Sequence, residues 1–280
     1  MIPAAFEYER AESIVHALDL LAHNEDAKLL AGGHSLLPLM KLRLARPSML
    51  VDIGRLHDLS YIREDGDAVA VGALTRHHDV EHSDVLKQHC PILAHAAGEI
   101  GDPQVRHVGT IGGSVAHGDP ASDLPGVLLT LDAQFVVRGP EGSRTLAASD
   151  FFTGFFETAL SPGEMVTEIR VPKLAAGTGW SYQKFHRRAQ DWAVVGVAAV
   201  LQRSNGSVSN PAVGLVNMGD RPLRAGTVEE ALAGGTDPGS ASAGAAEGTN
   251  PPTDSFGSAE YRRELAKVLA RRAVVEALGR

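Results

Sequence analysis

Two glycine pairs, each close to a predicted helix or strand, constrain the fold of this chain more than any other feature. Gly32-Gly33 lies between the short strand pattern of residues 28–31 and a helical pattern that starts at Leu36, and Gly112-Gly113 precedes the apolar run of residues 127–131. Glycine allows sharp turns and a close approach of the backbone to a ligand. Backbone N–H groups near the start of a helix bind phosphate groups. The two pairs therefore predict a phosphate-bearing ligand clasped between two subdomains.

Polar side chains beside both glycine pairs support this interpretation. His34 and Ser35 follow the first pair, while Thr110 precedes the second pair and Ser114 follows it. Neither pair matches the Gly-x-Gly-x-x-Gly fingerprint or a phosphate loop that ends in Gly-Lys-Ser/Thr. A nicotinamide-binding Rossmann domain and an NTPase are therefore disfavoured. Taken alone, each pair could equally be a tight turn that no ligand touches.

The hydrophobic periodicity predicts an α+β protein with three subdomains. A βαβ-like unit fills residues 1–55, a middle module follows over residues 56–176, and a C-terminal module covers residues 177–280. The predicted helices cover residues 11–21, 36–43, 76–83, 91–98 and 259–278. The predicted strands cover residues 28–31, 50–53, 133–137, 164–171, 193–202 and 207–216.

Turn residues join several of these segments. Asp65-Gly66 lies between two alternating segments, and Asn205-Gly206 separates two long strand patterns. Both dipeptides favour the positive φ angles of tight hairpins. Residues 234–257 are rich in Gly, Ala, Ser, Pro and Thr, which predicts a long surface loop.

The charge balance excludes two classes of partner. The formal net charge is −8, so the chain lacks the basic excess expected for binding nucleic acid or an anionic membrane surface. No apolar run approaches 18 residues, and the first ten residues lack the order of a signal peptide. We therefore expect a cytoplasmic protein without a transmembrane segment.

The cysteine and histidine content limits the redox groups that this chain can hold by itself. Cys90 is the only cysteine, which excludes an intramolecular disulfide and an iron–sulfur cluster held by four thiolates of this chain. The 12 histidines are scattered, and the adjacent pair His77-His78 points to opposite sides of any regular element. We therefore expect no metal site.

Four motifs in collinear order resemble the FAD-binding medium subunits of molybdenum hydroxylases, the family of carbon monoxide dehydrogenase and xanthine dehydrogenase. The resemblance extends over nearly the whole chain and is most specific around the first glycine pair. The motifs are Ala31-Gly32-Gly33-His34-Ser35-Leu36-Leu37-Pro38-Leu39-Met40-Lys41-Leu42-Arg43, then Thr110-Ile111-Gly112-Gly113-Ser114 with Gly118-Asp119-Pro120 and Ser122-Asp123-Leu124-Pro125, then Lys184-Phe185 with Arg187-Arg188 and Asp191-Trp192-Ala193, and finally Tyr261-Arg262-Arg263-Glu264-Leu265 with Arg271-Arg272-Ala273.

The resemblance implies a two-lobed FAD-binding domain of the PCMH or vanillyl-alcohol-oxidase type, followed by a small α+β domain of the carbon monoxide dehydrogenase flavoprotein type. It also implies which residues bind FAD. The first loop would wrap the diphosphate, the second would hold the diphosphate and ribityl region, and a lysine and an aromatic side chain would lie near the isoalloxazine. The implied cofactor-binding residues are Leu30, Ala31, Gly32, Gly33, His34, Ser35, Leu36, Ile100, Thr110, Ile111, Gly112, Gly113, Ser114, His117, Asp123, Val166, Lys184 and Trp192.

Several of these residues also have a purely structural interpretation. Lys184 could be a solvated surface lysine, and Asp123 could cap a helix. His34 and His117 could be satisfied polar residues, and Ile100, Val166 and Trp192 could be plain core. Position 114 is Ser where many relatives have Asn, so the hydrogen bonds at this position differ in detail from the family pattern. We expect no catalytic residue in this chain.

The family resemblance also implies partners and a role in electron transfer. A large subunit would carry the molybdenum cofactor and a small subunit two [2Fe–2S] clusters, in a dimer of heterotrimers. Electrons would pass through the clusters to FAD and on to a quinone, NAD or dioxygen. Two alternatives are a self-sufficient flavin oxidase or reductase and a structural subunit without cofactor. The substrate stays open, because relatives oxidise carbon monoxide, nicotine, caffeine, quinoline, purines or aldehydes, and the flavin subunit does not touch it. Association with the inner face of the membrane would occur only through the complex.

Overall fold

The computed structural model describes residues 1–204 and 207–280. The first sheet is built from the N-terminal segment. This sheet has three parallel strands in the order β1-β3-β2. Helix α1 begins after Ser13, whose side chain accepts a hydrogen bond from the N–H of His16 and so caps the helix. The elements are β1 (Glu7–Arg10), α1 (Ile14–His23), β2 (Lys28–Leu30), α2 (Leu36–Lys41) and β3 (Met49–Asp52).

The second sheet has five antiparallel strands in the order β4-β5-β10-β6-β7. A group of helices covers one face of it. Its apolar face packs against these helices, and their buried residues form one continuous core. The elements are β4 (Ile62–Asp65), β5 (Ala68–Gly72), α3 (His77–His82), α4 (Asp84–His89), α5 (Pro91–Gly98), α6 (Pro103–Val108), α7 (Ile111–His117), α8 (Asp123–Thr130), β6 (Gln134–Gly139), β7 (Gly142–Ala147), α9 (Ala148–Phe151), β8 (Phe152–Gly154), β9 (Glu157–Thr158) and β10 (Met165–Pro172).

The third sheet is antiparallel, with the strand order β11-β12-β13-β14. The longest helix, α12, packs across it, and its small residues Ala266, Ala270 and Ala273 are fully buried. Small side chains let the helix approach the sheet closely. The elements are β11 (Thr178–Phe185), β12 (Val195–Ser204), β13 (Ser207–Val216), β14 (Leu223–Arg224), α10 (Gly226–Ala233), α11 (Pro238–Ser242) and α12 (Ala259–Gly279).

The α+β fold class predicted from the sequence is confirmed. Each sheet draws its strands from one of the three predicted subdomains, although the exact boundaries after residues 55 and 176 stay a prediction. Strands β12 and β13 pair as the predicted hairpin. The turn predicted at Asn205-Gly206 lies outside the described residues. Among the helices of the described ranges, none combines the length and the apolar character needed to cross a bilayer.

The predicted surface loop at residues 234–257 needs correction. It contains α11, capped by the side chain of Asp237, and a 3-10 turn at Ala243–Ala246. Ala241, Ser242 and Ala245 are buried, and both alanines belong to the hydrophobic core that α12 forms with the third sheet. The alanine-rich composition reads as a linker, yet alanine also packs well between a helix and a sheet, and tertiary packing decides between the two.

Candidate functional site

The first glycine pair lies in the short loop between β2 and α2. Gly33 has a φ angle of 71°, in the left-handed region that glycine adopts without strain. The loop is partly accessible: Gly32 and Gly33 are half-buried, and His34 and Ser35 are exposed. Ser35 stands at the N-terminus of α2 but its side chain makes no capping hydrogen bond. No side chain of this loop therefore caps the N-terminus of α2.

The backbone amides of this loop are free. Within residues 1–204 and 207–280, the N–H groups of Gly32 to Leu36 donate no hydrogen bond to another group of the chain, whereas Leu37 donates to the carbonyl of Gly33 at 2.9 Å. Backbone N–H groups that lack a protein partner are usually satisfied by water or by a ligand. Successive free backbone amides beside a residue in the left-handed region are typical of turns that bind anions. This arrangement fits a diphosphate.

The second glycine pair lies in the first turn of α7, where we expected a loop with free amides. The N–H of Ile111 donates to the carbonyl of Thr75, and that of Gly112 donates to the carbonyl of Ala73 at 2.9 Å. Gly113 donates to the side chain of its own N-cap, Thr110, at 3.2 Å. The expectation that these glycine amides cradle phosphate is therefore corrected: they are already bonded within the chain.

Gly112 is needed for packing. A Cβ at this position would lie 2.5 Å from the Cβ of Ala73, so α7 could not sit against the second sheet with a larger residue. Gly113, by contrast, is exposed, and a Cβ there would meet only the Thr110 hydroxyl, at 2.7 Å. The side of α7 that carries Gly113, Ser114 and His117 is at least partly accessible. The polar groups that this loop offers to a ligand are thus the Ser114 hydroxyl and the His117 ring.

The structure brings the two glycine segments into contact. A Cβ on Gly32 would lie 2.8 Å from the Cα of Gly109 and still closer to the carbonyl oxygen of Val108. The guanidinium of Arg76 donates to that same carbonyl of Val108. Backbone atoms of two different subdomains therefore touch at this point, immediately before Thr110. A larger residue at position 32 would force these backbone atoms apart.

His77 also contacts this segment, through its backbone and its ring. Its backbone N–H donates to the carbonyl of Gly109 at 3.1 Å, and its ring packs against Gly109. The side chain is 6% exposed, and among the described atoms its buried Nδ1 has no hydrogen-bond partner. Burial lowers the pKa of His77 to about 4, so the imidazole is neutral near pH 7. A neutral ring adds no charge beside the free amides.

Lys184 is part of a buried ion pair that joins the second and third subdomains. Its Nζ lies 2.8 Å from Asp123 Oδ2 and 2.8 Å from the carbonyl oxygen of Glu99. The two side chains are 2% and 5% exposed, so the alternative of a solvated surface lysine is wrong. The Tyr182 hydroxyl donates to the other carboxylate oxygen of Asp123 at 2.5 Å.

The ionisation of this cluster reflects opposing effects. Burial raises the pKa of Asp123, while Lys184 and the Tyr182 hydroxyl act in the opposite direction. Burial and the neighbouring carboxylate raise the pKa of Tyr182 well above its ordinary value, so this phenol stays protonated and acts as a donor. The charge of Lys184 is balanced locally by Asp123. Its field at any nearby group is therefore weaker than that of an isolated ammonium.

Ile100 lies close to this ion pair, in a partly open cleft of about 290 Å³. The cleft separates the segment before α6 from the loop after β11, and Lys184 contacts Glu99, one residue before Ile100. The cleft is lined by Gly98, Glu99, Ile100, Asp102, Pro103, Arg106, His186, Ala189 and Gln190. Ile100 lines this cleft next to Glu99, whose carbonyl oxygen accepts from Lys184, and roles for Ile100 and Lys184 at the cofactor stay predictions.

The remaining predicted site residues differ in accessibility. Trp192 is 67% exposed, so the core alternative for this residue is wrong. Val166, in β10, is 6% exposed and belongs to the core between the second sheet and its helices. This leaves little of its side chain for a ligand. His117 is half-buried, and its ring lies 4.9 Å from that of Phe156. Roles for these three residues at the cofactor stay predictions.

Sequence reasoning missed three contributors to the site. Tyr182 lies two residues before Lys184 on β11, so strand periodicity places both side chains on one face, and this spacing could have identified it. His77 belongs to the adjacent pair that we expected to point to opposite sides of its element, and no pattern in the sequence singles it out. The Val108–Gly109 segment carries no polar side chain, and only its backbone makes the contact, so no residue pattern identifies it.

Comparisons with known proteins agree with this geometry. A family model for the FAD binding domain in molybdopterin dehydrogenase matches residues 4–174, and a model for the CO dehydrogenase flavoprotein C-terminal domain matches residues 180–277. The carbon monoxide dehydrogenase medium chain of Afipia carboxidovorans is 43% identical over 285 residues, which cover 100% of this chain and 99% of the relative. The corresponding chain of Hydrogenophaga pseudoflava is 48% identical over 225 residues, which cover 80% of this chain and 78% of the relative.

A solved structure gives the same result in three dimensions. A chain in the structure of carbon monoxide dehydrogenase from Hydrogenophaga pseudoflava matches with a TM-score of 0.97 and 44% identity, over 100% of this chain and 99% of that one. The two matched ranges include the loop with the free amides, the contact between the two subdomains and the buried ion pair. The chain therefore belongs to the FAD-binding medium subunits of the molybdenum hydroxylases, the family of carbon monoxide dehydrogenase and xanthine dehydrogenase.

Proposed function

We propose that this chain is the FAD-carrying electron-transfer subunit of a molybdenum hydroxylase of the carbon monoxide dehydrogenase type. The observation that carries the proposal is the row of free amides from Gly32 to Leu36, in a partly accessible loop where backbone atoms of two subdomains meet. An FAD diphosphate supplies the anionic oxygens that these donors lack. A nucleotide that bridges both subdomains would explain why glycine stands at their point of contact.

The chain's own residues divide the work of holding the cofactor. The amides of Gly32 to Leu36 would bind the diphosphate, and the Ser114 hydroxyl and His117 ring would contact it or the ribityl chain from the side of α7. At the other end, Ile100 and the exposed Trp192 would border the isoalloxazine. The cleft beside Ile100 is partly open, so a partner molecule could approach this end without unfolding any element.

The buried ion pair would position the neighbouring segments rather than supply a charge to the cofactor. Lys184 and Asp123 tie β11 of the third subdomain to α8 of the second, and Lys184 also holds the carbonyl of Glu99. These contacts fix the wall of the cleft that carries Ile100. When bound, FAD supplies the ability to take up two electrons and to pass them on singly or in pairs.

The partners follow from what this chain lacks. Cys90 is its only cysteine and is buried, so any [2Fe–2S] cluster that delivers electrons must be held by another polypeptide. We infer a small iron–sulfur subunit as the electron donor and a large molybdenum subunit as the site of substrate oxidation, assembled as a dimer of heterotrimers. A quinone, NAD or dioxygen would be the final acceptor. The likeness to carbon monoxide dehydrogenase medium chains favours carbon monoxide as the substrate of the complex.

Reconstitution tests this proposal. The purified chain should bind one equivalent of FAD and show no oxidation of carbon monoxide by itself, and electron transfer from carbon monoxide to the physiological acceptor should appear after the two partner subunits are added. A matched sample of partner subunits without this chain should still reduce their own clusters with substrate but pass few electrons to the physiological acceptor. Turnover by the isolated flavoprotein would contradict the proposal, as would a chain that takes up no FAD.

A further inference from the structure

We propose that His78, Glu81 and His82 form a binding site for one divalent transition-metal ion, with His107 available as a fourth ligand. The first three residues lie on α3 at spacings of three and four, which place their side chains on one face of the helix. One ligand atom from each lies within 4.8 Å of the others. The site is separate from the FAD loops and goes beyond the proposed function.

His107 reaches this group from a second helix, α6. The ring centroid of His78 lies 4.3 Å from that of His82 and 4.2 Å from that of His107. The His78 ring therefore lies against one imidazole of its own helix and one of α6. His78 and Glu81 are half-buried, while His82 and His107 are exposed. The site therefore has a half-buried inner part and an exposed outer part.

The hydrogen bonds around the cluster prepare two of these side chains for metal binding. His82 Nδ1 lies 2.9 Å from the carbonyl oxygen of His78. A carbonyl only accepts, so this nitrogen carries the proton and leaves the Nε2 lone pair for a metal, which is the usual second contact of a ligating histidine. Arg106 Nε lies 2.8 Å from the Glu81 carboxylate. This contact orients the carboxylate and also competes with the metal for it.

The ligand set determines the class of ion. Imidazole nitrogens with one carboxylate suit Zn²⁺, Co²⁺, Ni²⁺ and Cu²⁺, whereas Mg²⁺ and Ca²⁺ prefer oxygen ligands. In a tetrahedral zinc site with bonds near 2.1 Å, ligand atoms lie roughly 3.4 Å from one another. The ligand atoms of His78, Glu81 and His82 therefore have to approach one another by up to about 1.4 Å, a change within the reach of side-chain rotation.

A bound ion would act on the contact between the FAD-binding loops. Helix α3 follows Arg76, which holds the carbonyl of Val108, and α6 ends at Val108 itself. A metal shared by α3 and α6 would fasten both sides of the segment that touches Gly32. Metal binding and FAD binding are nevertheless separate measurements, so failure of one leaves the other intact.

The test is a calorimetric titration of the untagged full-length chain with Zn²⁺. We expect one equivalent to bind, and His78→Asn or His82→Asn to weaken binding by about tenfold or more. His23→Asn is the matched control: His23 is an exposed helical histidine 3.4 Å from Asp19, one turn away, and its pairing involves no second histidine. This variant should bind Zn²⁺ as the unchanged chain does.

The opposite results would overturn the proposal. Less than one equivalent of bound Zn²⁺, or equal affinity in the His78→Asn, His82→Asn and His23→Asn variants, would show that no specific site exists. If the two cluster variants fail to fold, histidine modification of the unchanged chain decides instead. Protection of His78 and His82 by Zn²⁺ supports the site, and unaltered modification of both in the presence of Zn²⁺ contradicts it.

Discussion

Replacing Gly32 with alanine is expected to remove most of the FAD from the purified chain while leaving it folded. The added Cβ would lie 2.8 Å from the Cα of Gly109 and closer to the carbonyl of Val108, distances that require backbone atoms to move apart. Forcing a methyl group into such a contact costs about 1–3 kcal/mol. Without cofactor the two subdomains can separate slightly and relieve the strain, whereas the bound state requires them close together. The free-energy cost of the strain therefore appears in FAD binding, as an affinity for FAD that is roughly 5- to 150-fold weaker.

The ratio of flavin absorbance to protein absorbance after gel filtration measures this effect. Gly226→Ala is the matched control, because a Cβ at Gly226 meets nothing within 4 Å and the residue has no positive φ angle. This control should keep its FAD. If Gly32→Ala retains FAD as well as Gly226→Ala does, the contact between the two loops is not part of the cofactor site.

Replacing Lys184 with methionine is expected to destabilise the chain by about 3–5 kcal/mol, because it leaves the Asp123 carboxylate buried without its cation. The Tyr182 hydroxyl alone would then face that charge. From the sequence alone, the same variant is expected to keep FAD and to lower its reduction potential. Since Asp123 neutralises Lys184 at 2.8 Å, the structure shifts the main expected effect from the potential to the stability. Urea unfolding of the FAD-loaded protein measures it.

A double variant separates the charge from the packing. In Lys184→Met with Asp123→Asn, the buried charge is gone while an oxygen remains to accept from Tyr182. The double variant should recover roughly 2 kcal/mol relative to Lys184→Met, because the two residues form one interacting unit. A double variant that is less stable than Lys184→Met would show that the ion pair is not what stabilises this interface.

The fold was predictable where the sequence pattern is local. Strands β2, β3, β10, β12 and β13 and helices α1, α5 and α12 follow from periodicity and from capping or turn residues close in sequence. Helix α7 was missed because glycine disfavours helix interiors. There the two glycines occupy the first turn, where the Thr110 cap and the close contact with Ala73 outweigh that preference.

The site was predictable in its residues but not in how they act. The motif Gly-Gly-His-Ser correctly identified a loop with available amides. The second motif looked equivalent, yet its amides bond to Thr75, Ala73 and Thr110. Those acceptors are either distant in sequence or depend on a helix that was not expected, so no local pattern reveals them. The pairing of Lys184 with Asp123 joins residues 61 positions apart, and only the folded chain shows it.

The most direct test of the account is hydrogen–deuterium exchange at single-residue resolution, with and without FAD. The account predicts that the amides of Gly32 to Leu36, free in the chain alone, become strongly protected when FAD binds. The amides of Ile111 to Ser114, which already donate within the chain, should be protected in both states and change little. Stoichiometric FAD binding without new protection at Gly32 to Leu36 would contradict the claim that this loop grips the diphosphate.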